Sequence, residues 1–114
     1  KIIDYFENEE NLGKTHEATD WISATIDKNE NIEIIKNLIK EALKNDNEDV
    51  IISWDRKTCV STNNQILSNY WDDFCYPSSD DVTIISQDTS VVIKYHHIEV
   101  IKIWTRKANT QHAV

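Results

Sequence analysis

Apolar residues recur at helical spacing in two parts of the chain. In the first, from about residue 28 to residue 44, they stand three or four positions apart, at Ile32, Ile35, Leu38, Ile39 and Ala42. Polar residues fill the positions between them, so the pattern predicts an amphipathic helix with one buried face. Asp27 and Glu30 have the spacing of a capping box at its start, and the polar triplet Asn45-Asp46-Asn47 stops it.

The second helical pattern runs from Asn63 to about Cys75. Thr62 and Gln65 form a capping box at its start. Its apolar residues make one broad face: Ile66, Leu67, Tyr70, Trp71 and Phe74. Pro77 ends this helix, because the residue before a proline avoids helical backbone geometry.

Strand-like runs surround these helices and dominate the end of the chain. The predicted strands cover residues 21–26, 50–54, 82–86, 90–95 and 98–105. Gln87-Asp88-Thr89 is a polar turn between two of them. Since no Gly, Asn or Asp separates Tyr95 from Ile98, His96-His97 is either a tight turn or a bulge in one long strand. The N-terminal residues are weakly patterned and predict a short helix over roughly residues 3–12, ending near Gly13.

The composition favours a sheet over an all-helical bundle. There are 17 Ile and 4 Leu, and β-branched side chains pack well on a pleated surface. With a single Gly and a single Pro, the chain lacks the turn residues that a barrel or sandwich usually needs. We therefore expect one α+β domain over residues 1–114, with two main helices packed on a largely C-terminal antiparallel sheet. Residues 107–114 are expected to form a loose tail.

Charge is unevenly distributed along the chain, with a formal net charge of −8. Residues 1–90 hold 19 acids and 8 bases, whereas residues 91–114 hold one acid and four bases. This balance disfavours binding to nucleic acid or to an anionic membrane. No apolar run approaches the length of a membrane-spanning helix.

One stretch without any Lys or Arg stands out, from Thr58 to Ile93. Within it, residues 70–81 contain four aromatic side chains and four carboxylates, a combination that suits a surface for a basic protein partner. We therefore predict a binding surface formed by Tyr70, Asp72, Asp73, Tyr76, Asp80 and Asp81. Asp72 and Asp73 fall in the last turn of the predicted helix, where carboxylates oppose the helix dipole at a cost of roughly 0.3–1 kcal/mol each.

Other interpretations of this stretch remain open. The aromatic residues can form the buried face of the helix, above all Trp71 and Phe74, while the acids are simply solvated. The four carboxylates could also bind Ca²⁺ or Mg²⁺, but their spacing is not that of an EF-hand loop. We predict no metal site and no cofactor.

His96 and His97, followed by Glu99, provide the best enzymatic alternative. A histidine could act as a general base and a carboxylate, Glu99 or Asp80, could orient it. However, adjacent residues on a strand point to opposite faces, so both histidines cannot serve one site without a bulge. Ordinary histidines at the end of a strand are the favoured interpretation, and we predict that the chain is not an enzyme.

The two cysteines, Cys59 and Cys75, are widely separated and lack the spacing of a zinc motif. We expect two buried free thiols in a reducing compartment.

In its composition rich in Asn, Ile and Lys, its α+β pattern, its lack of catalytic motifs and its 70–81 stretch, the chain resembles one class of protein. That class is the small acidic immunity proteins of bacterial toxin systems, including contact-dependent growth inhibition. The resemblance implies a cytoplasmic protein that binds a cognate toxin domain, often a nuclease, and blocks its active site or substrate groove. Two alternatives are a small enzyme that uses His96 or His97 with a carboxylate, and an adaptor that binds by adding a strand to an exposed sheet edge.

Overall fold

The computed structural model describes residues 8–25, 29–54, 58–75 and 81–107. These residues form three helices: α1 (Glu9–Thr15), α2 (Asn29–Leu43) and α3 (Asn64–Cys75). They also form seven strands: β1 (His16–Ala18), β2 (Ile22–Ser23), β3 (Asp49–Ser53), β4 (Cys59–Asn63), β5 (Val82–Ser86), β6 (Val91–His96) and β7 (Val100–Arg106).

The seven strands form one antiparallel sheet in the order β1-β7-β6-β5-β3-β4, and β2 pairs with β7 beside β1. In the β5–β6 pair Val82 lies opposite Tyr95 and Ile84 lies opposite Ile93. All five residues of β5, and β6 up to Tyr95, are buried. The centre of the sheet is therefore its most buried part, and β4 forms one outer edge among the strands of the described residues.

Helices α2 and α3 cover one face of the sheet and build the main core. Their buried side chains are Ile35, Ile39, Leu43, Leu67, Trp71 and Cys75. Trp71 is fully buried, and its indole Nε1 donates a hydrogen bond to the Ile32 carbonyl oxygen at 3.0 Å. This bond satisfies the only polar atom of the indole and ties α3 to α2.

Helix α1 contributes to a smaller cluster on the other face, where Leu12 packs with Ile85, Val92 and Trp104. The Asn8 side chain caps α1 by accepting hydrogen bonds from the Glu10 and Asn11 amides. Because consecutive strand residues point to opposite faces, Val92 belongs to this cluster while its neighbours Val91 and Ile93 belong to the main core.

The predicted α+β fold, with two main helices on an antiparallel sheet, is confirmed. Two strands were not predicted. Strand β1 has only three residues, and β4 has a mostly exposed sequence without alternation. The strand predicted from residue 21 is limited to Ile22–Ser23 in the described residues.

Three predictions about the helices are corrected by the structure. Helix α1 runs through Gly13 to Thr15, because Gly13 does not adopt the positive φ of a C-terminal stop and the chain turns to extended backbone only at His16. At the start of α3, Asn63 Oδ1 accepts a hydrogen bond from the Ile66 amide, so Asn63 caps this helix instead of Thr62. The predicted broad apolar face of α3 is split, since Ile66 and Tyr70 are exposed.

Some predicted features lie outside the described residues. They are Asp27 of the first capping box, Pro77 after α3, and positions 108–114 of the predicted tail.

The predicted polar turn between β5 and β6 is confirmed and is organised by the Asp88 side chain. Its Oδ1 accepts hydrogen bonds from the Ser86 hydroxyl, the Ser90 hydroxyl and the Ser90 amide. These hydrogen bonds, mainly from Ser90, together with the nearby Arg106 charge, hold the pKa of Asp88 below its ordinary value. The ionised carboxylate therefore stabilises the turn that sets the β5–β6 register.

Replacing the aromatic side chains of α3 should have unequal effects on stability. Phe74 was expected to be fully buried, but it is only half-buried and packs at the margin of the core against Trp54. We expect Trp71→Ala to lower the free energy of unfolding by roughly 3–5 kcal/mol, and Phe74→Ala to lower it by less. Urea denaturation monitored by circular dichroism measures both values, and an equal or larger loss for Phe74→Ala would contradict this assignment of the core.

Removing the Asp88 carboxylate should destabilise the fold in a pH-dependent way. Because the folded-state pKa of Asp88 is lowered, its contribution is present above the unfolded-state value of about 3.9 and is lost as pH falls through the folded-state pKa. We expect Asp88→Ala to lower the free energy of unfolding by roughly 1 kcal/mol at neutral pH. The difference in this free energy between the variant and the unsubstituted protein should shrink as pH falls from about 3.9 through the folded-state pKa of Asp88. Gln87→Ala, an uncharged change in the same turn, serves as the control and should show no such pH dependence.

Candidate functional site

The second half of α3 displays Tyr70 on the protein surface. The helix is kinked at this residue, whose backbone has non-helical angles of φ −128° and ψ 24°. Tyr70 is 54% exposed, whereas the next residue, Trp71, is fully buried. An exposed aromatic residue therefore lies directly beside the most deeply buried aromatic residue of the core.

Two carboxylates follow Tyr70 on the same helix. Asp72 is half-buried and Asp73 is exposed. Helix α3 contains no Lys, Arg or His, so no basic residue in its last turn offsets their unfavourable interaction with the helix dipole. No side-chain hydrogen bond or ion pair links Asp72 or Asp73 to another described residue. These two acids thus remain available to a partner from outside.

The thiol of Cys75, at the end of α3, is buried and unreactive. Burial, with a further contribution from the nearby Asp72 charge, raises its pKa far above the ordinary value. The expectation of two buried thiols is wrong for Cys59, which is exposed on the outer strand β4. Burial, with smaller contributions from the Cys75 and Glu99 side chains, raises the pKa of Tyr95 to about 12.

Of the three remaining predicted binding residues, the structure describes one. Tyr76 and Asp80 lie outside the described residues. Asp81 immediately precedes β5 and is exposed. Because Val82 pairs with Tyr95, continuing the register by one position brings Asp81 opposite His96. The carboxylate therefore meets the two histidines at the β6–β7 turn.

Asp81 contacts both histidines directly. Its Oδ1 accepts hydrogen bonds from the His97 backbone amide and is 3.0 Å from His97 Nδ1. Its Oδ2 is 3.6 Å from His96 Nε2. Partial burial acts to raise the pKa of Asp81, but the hydrogen bonds from His97 and the charges of both histidines outweigh it and hold the pKa below its ordinary value.

The two histidines were expected to share a site only if the strand contained a bulge, but a turn brings them together instead, because the strand ends between them. His96 is the last residue of β6, and His97 begins the turn that leads to β7. Glu99 adopts a positive φ of 63° in this turn and its amide donates to the His96 carbonyl oxygen. The tight-turn interpretation of this pair is therefore confirmed, and the strand alternation that would have separated the rings does not extend to His97.

The cluster of Asp81, His96 and His97 lies on the face of the sheet opposite to α3. Val82 and Tyr95 point into the main core, so Asp81 and His96 point the other way. There the Trp21 ring meets His96 edge-on, with 5.6 Å between the ring centroids. Lys102 Nζ lies 5.3 Å from the centroid of the same Trp21 ring. The described binding residues thus divide into two groups: Tyr70, Asp72 and Asp73 on α3, and Asp81 in the histidine cluster.

The chemistry of this cluster suits either a general base or a metal site. A carboxylate hydrogen-bonded to an imidazole orients the ring and raises its basicity, as in a general base. Two imidazole nitrogens beside a carboxylate oxygen are also a ligand set for a transition-metal ion.

The outer strand β4 is a third surface with exposed binding groups. The Trp54 amide donates to the Thr58 carbonyl oxygen, and the Asn64 amide donates to that of Glu48. Since hydrogen-bonded pairs alternate along an antiparallel ladder, the backbone groups of Cys59 and Ser61 face away from β3. Strand β4 has no charged residue and no proline, the usual protections of a sheet edge.

None of the helices in the described part of the chain has the length and apolar character needed to cross a lipid bilayer. Comparison with protein-family models, with curated proteins and with solved structures gave no match. The function must therefore be argued from these surfaces.

Proposed function

We propose that this chain is an immunity protein, a cytoplasmic binding protein that neutralises a basic, nuclease-type toxin domain through the second half of α3. The observation that carries the proposal is the exposed Tyr70 beside Asp72 and Asp73, two carboxylates on a helix without any basic residue. We call these three residues the α3 surface.

Charge complementarity supports this choice of partner. The active-site cleft of a nuclease is built to hold phosphate groups, so it presents cationic side chains that an acidic surface can contact. The net charge of −8 adds long-range attraction, which raises the association rate with a basic protein.

The aromatic group of the α3 surface supports a protein partner over a simple ion. Tyrosine is one of the residue types that most often contribute large shares of binding energy at protein interfaces. Tyr70 lies between the buried residues Leu67 and Trp71 in the sequence of α3. Its backbone is therefore already ordered in the free protein, so less backbone freedom is lost when a partner covers it.

Charge reversal on the α3 surface tests this proposal. After capture of the partner from host lysate at low salt and its identification by mass spectrometry, the affinities of purified variants are compared by calorimetry. We expect Asp73→Lys and Tyr70→Ala each to raise the Kd by about tenfold or more, equivalent to roughly 1.4 kcal/mol.

Glu17→Lys is the matched control for Asp73→Lys. Glu17 is exposed on β1, at the opposite side of the sheet from β4, and its reversal changes the net charge by the same amount. It should alter the association rate slightly and leave the dissociation rate unchanged. Equal losses of affinity for Glu17→Lys and Asp73→Lys would show that only overall charge matters and would refute the α3 surface as the contact.

A second candidate function, partner binding by strand addition, is favoured by the unprotected edge of β4. Beside this strand lies an open groove of about 470 Å³, lined by Ser61, Thr62 and Ile66 among others. Ile66 is exposed there, so an added strand could place an apolar side chain in the groove while its backbone pairs with Cys59 and Ser61.

Proline substitution at the edge of β4 tests this second function. Ser61→Pro removes an outward amide without breaking a hydrogen bond to β3, whereas Ser61→Ala keeps that amide. If the partner adds a strand, Ser61→Pro alone should abolish binding, and the complex should protect Cys59 from maleimide labelling. Because Cys75 is buried, Cys59 is the reporting thiol. Unchanged affinity of Ser61→Pro, together with full labelling of Cys59 in the complex, would exclude this mode.

A further inference from the structure

The Asp81, His96 and His97 side chains bring three metal-ligating groups together at the β6–β7 turn. We infer that they bind one divalent transition-metal ion, for which Zn²⁺ is the best match. This inference uses none of the residues of the α3 surface and does not depend on the proposed function.

The distances between the ligand atoms suit a single ion. One Asp81 oxygen and one nitrogen from each histidine all lie within 4.8 Å of one another. Around a tetrahedral ion with bonds of about 2.0–2.1 Å, neighbouring ligand atoms are roughly 3.3 Å apart. Asp81 Oδ1 is 3.0 Å from His97 Nδ1, and Asp81 Oδ2 is 3.6 Å from His96 Nε2. These distances lie on either side of that value, and each belongs to a different oxygen of the carboxylate.

The contact between Asp81 and His96 has the length of an ion pair, and it is also compatible with a shared metal ion. At 3.6 Å, Oδ2 and Nε2 are too far apart for a good hydrogen bond. The same separation is suitable for two atoms bound to one metal ion. Asp81 Oδ1, by contrast, already accepts from the His97 amide, which fixes the carboxylate in place.

The chemistry of the ligands selects the kind of ion. Imidazole nitrogens favour Zn²⁺ and its neighbours among the transition metals, whereas Ca²⁺ and Mg²⁺ prefer ligand sets made only of oxygen. Two histidines and one carboxylate supply three ligands, which leaves the fourth position of a tetrahedral ion for water or for a group from a partner. The side chains of Asp81, His96 and His97 are 54%, 41% and 53% exposed, so an ion can reach them from solvent.

Neighbouring side chains hold the His96 and His97 rings near positions suitable for binding a metal ion. One hydrogen bond that usually supports a metal-bound histidine is missing among the described residues. His96 is in contact with the Trp21 ring and with the His97 ring. However, His96 Nδ1 is buried and has no hydrogen-bond partner in the described part of the chain, whereas a metal-bound histidine usually donates its other N–H to an acceptor. For this reason we expect Zn²⁺ to bind roughly 10–100-fold more weakly than at a site whose histidines both have such acceptors.

Calorimetric titration of ZnCl₂ into the full chain tests the inference. The protein carries no histidine tag and has Cys59→Ser to remove the exposed thiol as a competing ligand. We expect one Zn²⁺ per chain, a melting temperature that rises with Zn²⁺ concentration, and no response to Mg²⁺ or Ca²⁺. His97→Gln and Asp81→Asn should each weaken Zn²⁺ binding by about tenfold or more.

Glu99→Gln is the matched control, because Glu99 is an exposed acid in the same turn outside the ligand set. It should leave Zn²⁺ binding unchanged. In the unsubstituted protein, Zn²⁺ should also shift the NMR signals of the His96 and His97 rings before those of His16, so the test does not rely on variants that fail to fold. Absence of stoichiometric binding, or binding that persists in both ligand variants, would overturn the inference and leave a simple carboxylate–histidine contact.

Discussion

The pairing register of β5 with β6 is the constraint on which the rest of the structure depends. These two strands are almost wholly buried, and they run through the centre of the sheet. A slip of one residue would exchange the two faces of a strand, placing Val92 under the α2–α3 layer and Ile93 under α1. Such a slip would also carry Lys94 of β6 into the main core. The observed register is therefore favoured, and the central pair fixes the positions of the flanking strands and helices.

The same register brings the histidine cluster together. Once the Asp88 turn sets Val82 opposite Tyr95, the next residue pair outward is Asp81 and His96. Their side chains must point away from the main core because Val82 and Tyr95 point into it. The site is thus a direct extension of the central ladder, and the turn at Glu99 adds His97 to it.

Much of this fold follows from periodicity in the sequence, and the parts that do not have identifiable physical reasons. Helix α2 and strands β3, β5, β6 and β7 carry apolar patterns strong enough to be located within about two residues. Strand β4 has no such pattern, because an outer strand of Cys, Val, Ser, Thr and Asn buries little of its surface. Its existence is determined by pairing with the preceding strand β3, an interaction that the propensity of its own residues does not encode.

The candidate sites, like the fold, could be predicted from the sequence only in part. The exposure of Tyr70 depends on the kink in α3, and neighbouring apolar residues alone could not separate it from the buried Trp71. The contact of Asp81 with His96 could be predicted only after counting residue pairs outward from the turn between β5 and β6. Strand alternation gave the wrong result for His97, because it applies only while the chain remains in the strand.

The separation of the two charged sites across the sheet has an electrostatic consequence. Asp81 contacts His96 and His97 on the face opposite α3. Its negative charge therefore interacts mainly with groups inside the domain. Asp72 and Asp73 have no basic residue on their own helix. Their negative charges therefore remain directed toward solvent. Each of these two acids opposes the helix dipole by roughly 0.3–1 kcal/mol, a cost well below the several kcal/mol by which a buried aromatic such as Trp71 stabilises a core. The burial of Trp71 thus lets α3 tolerate locally unfavourable charges on the adjacent surface. Under the proposed function, a cationic partner would relieve this cost on binding.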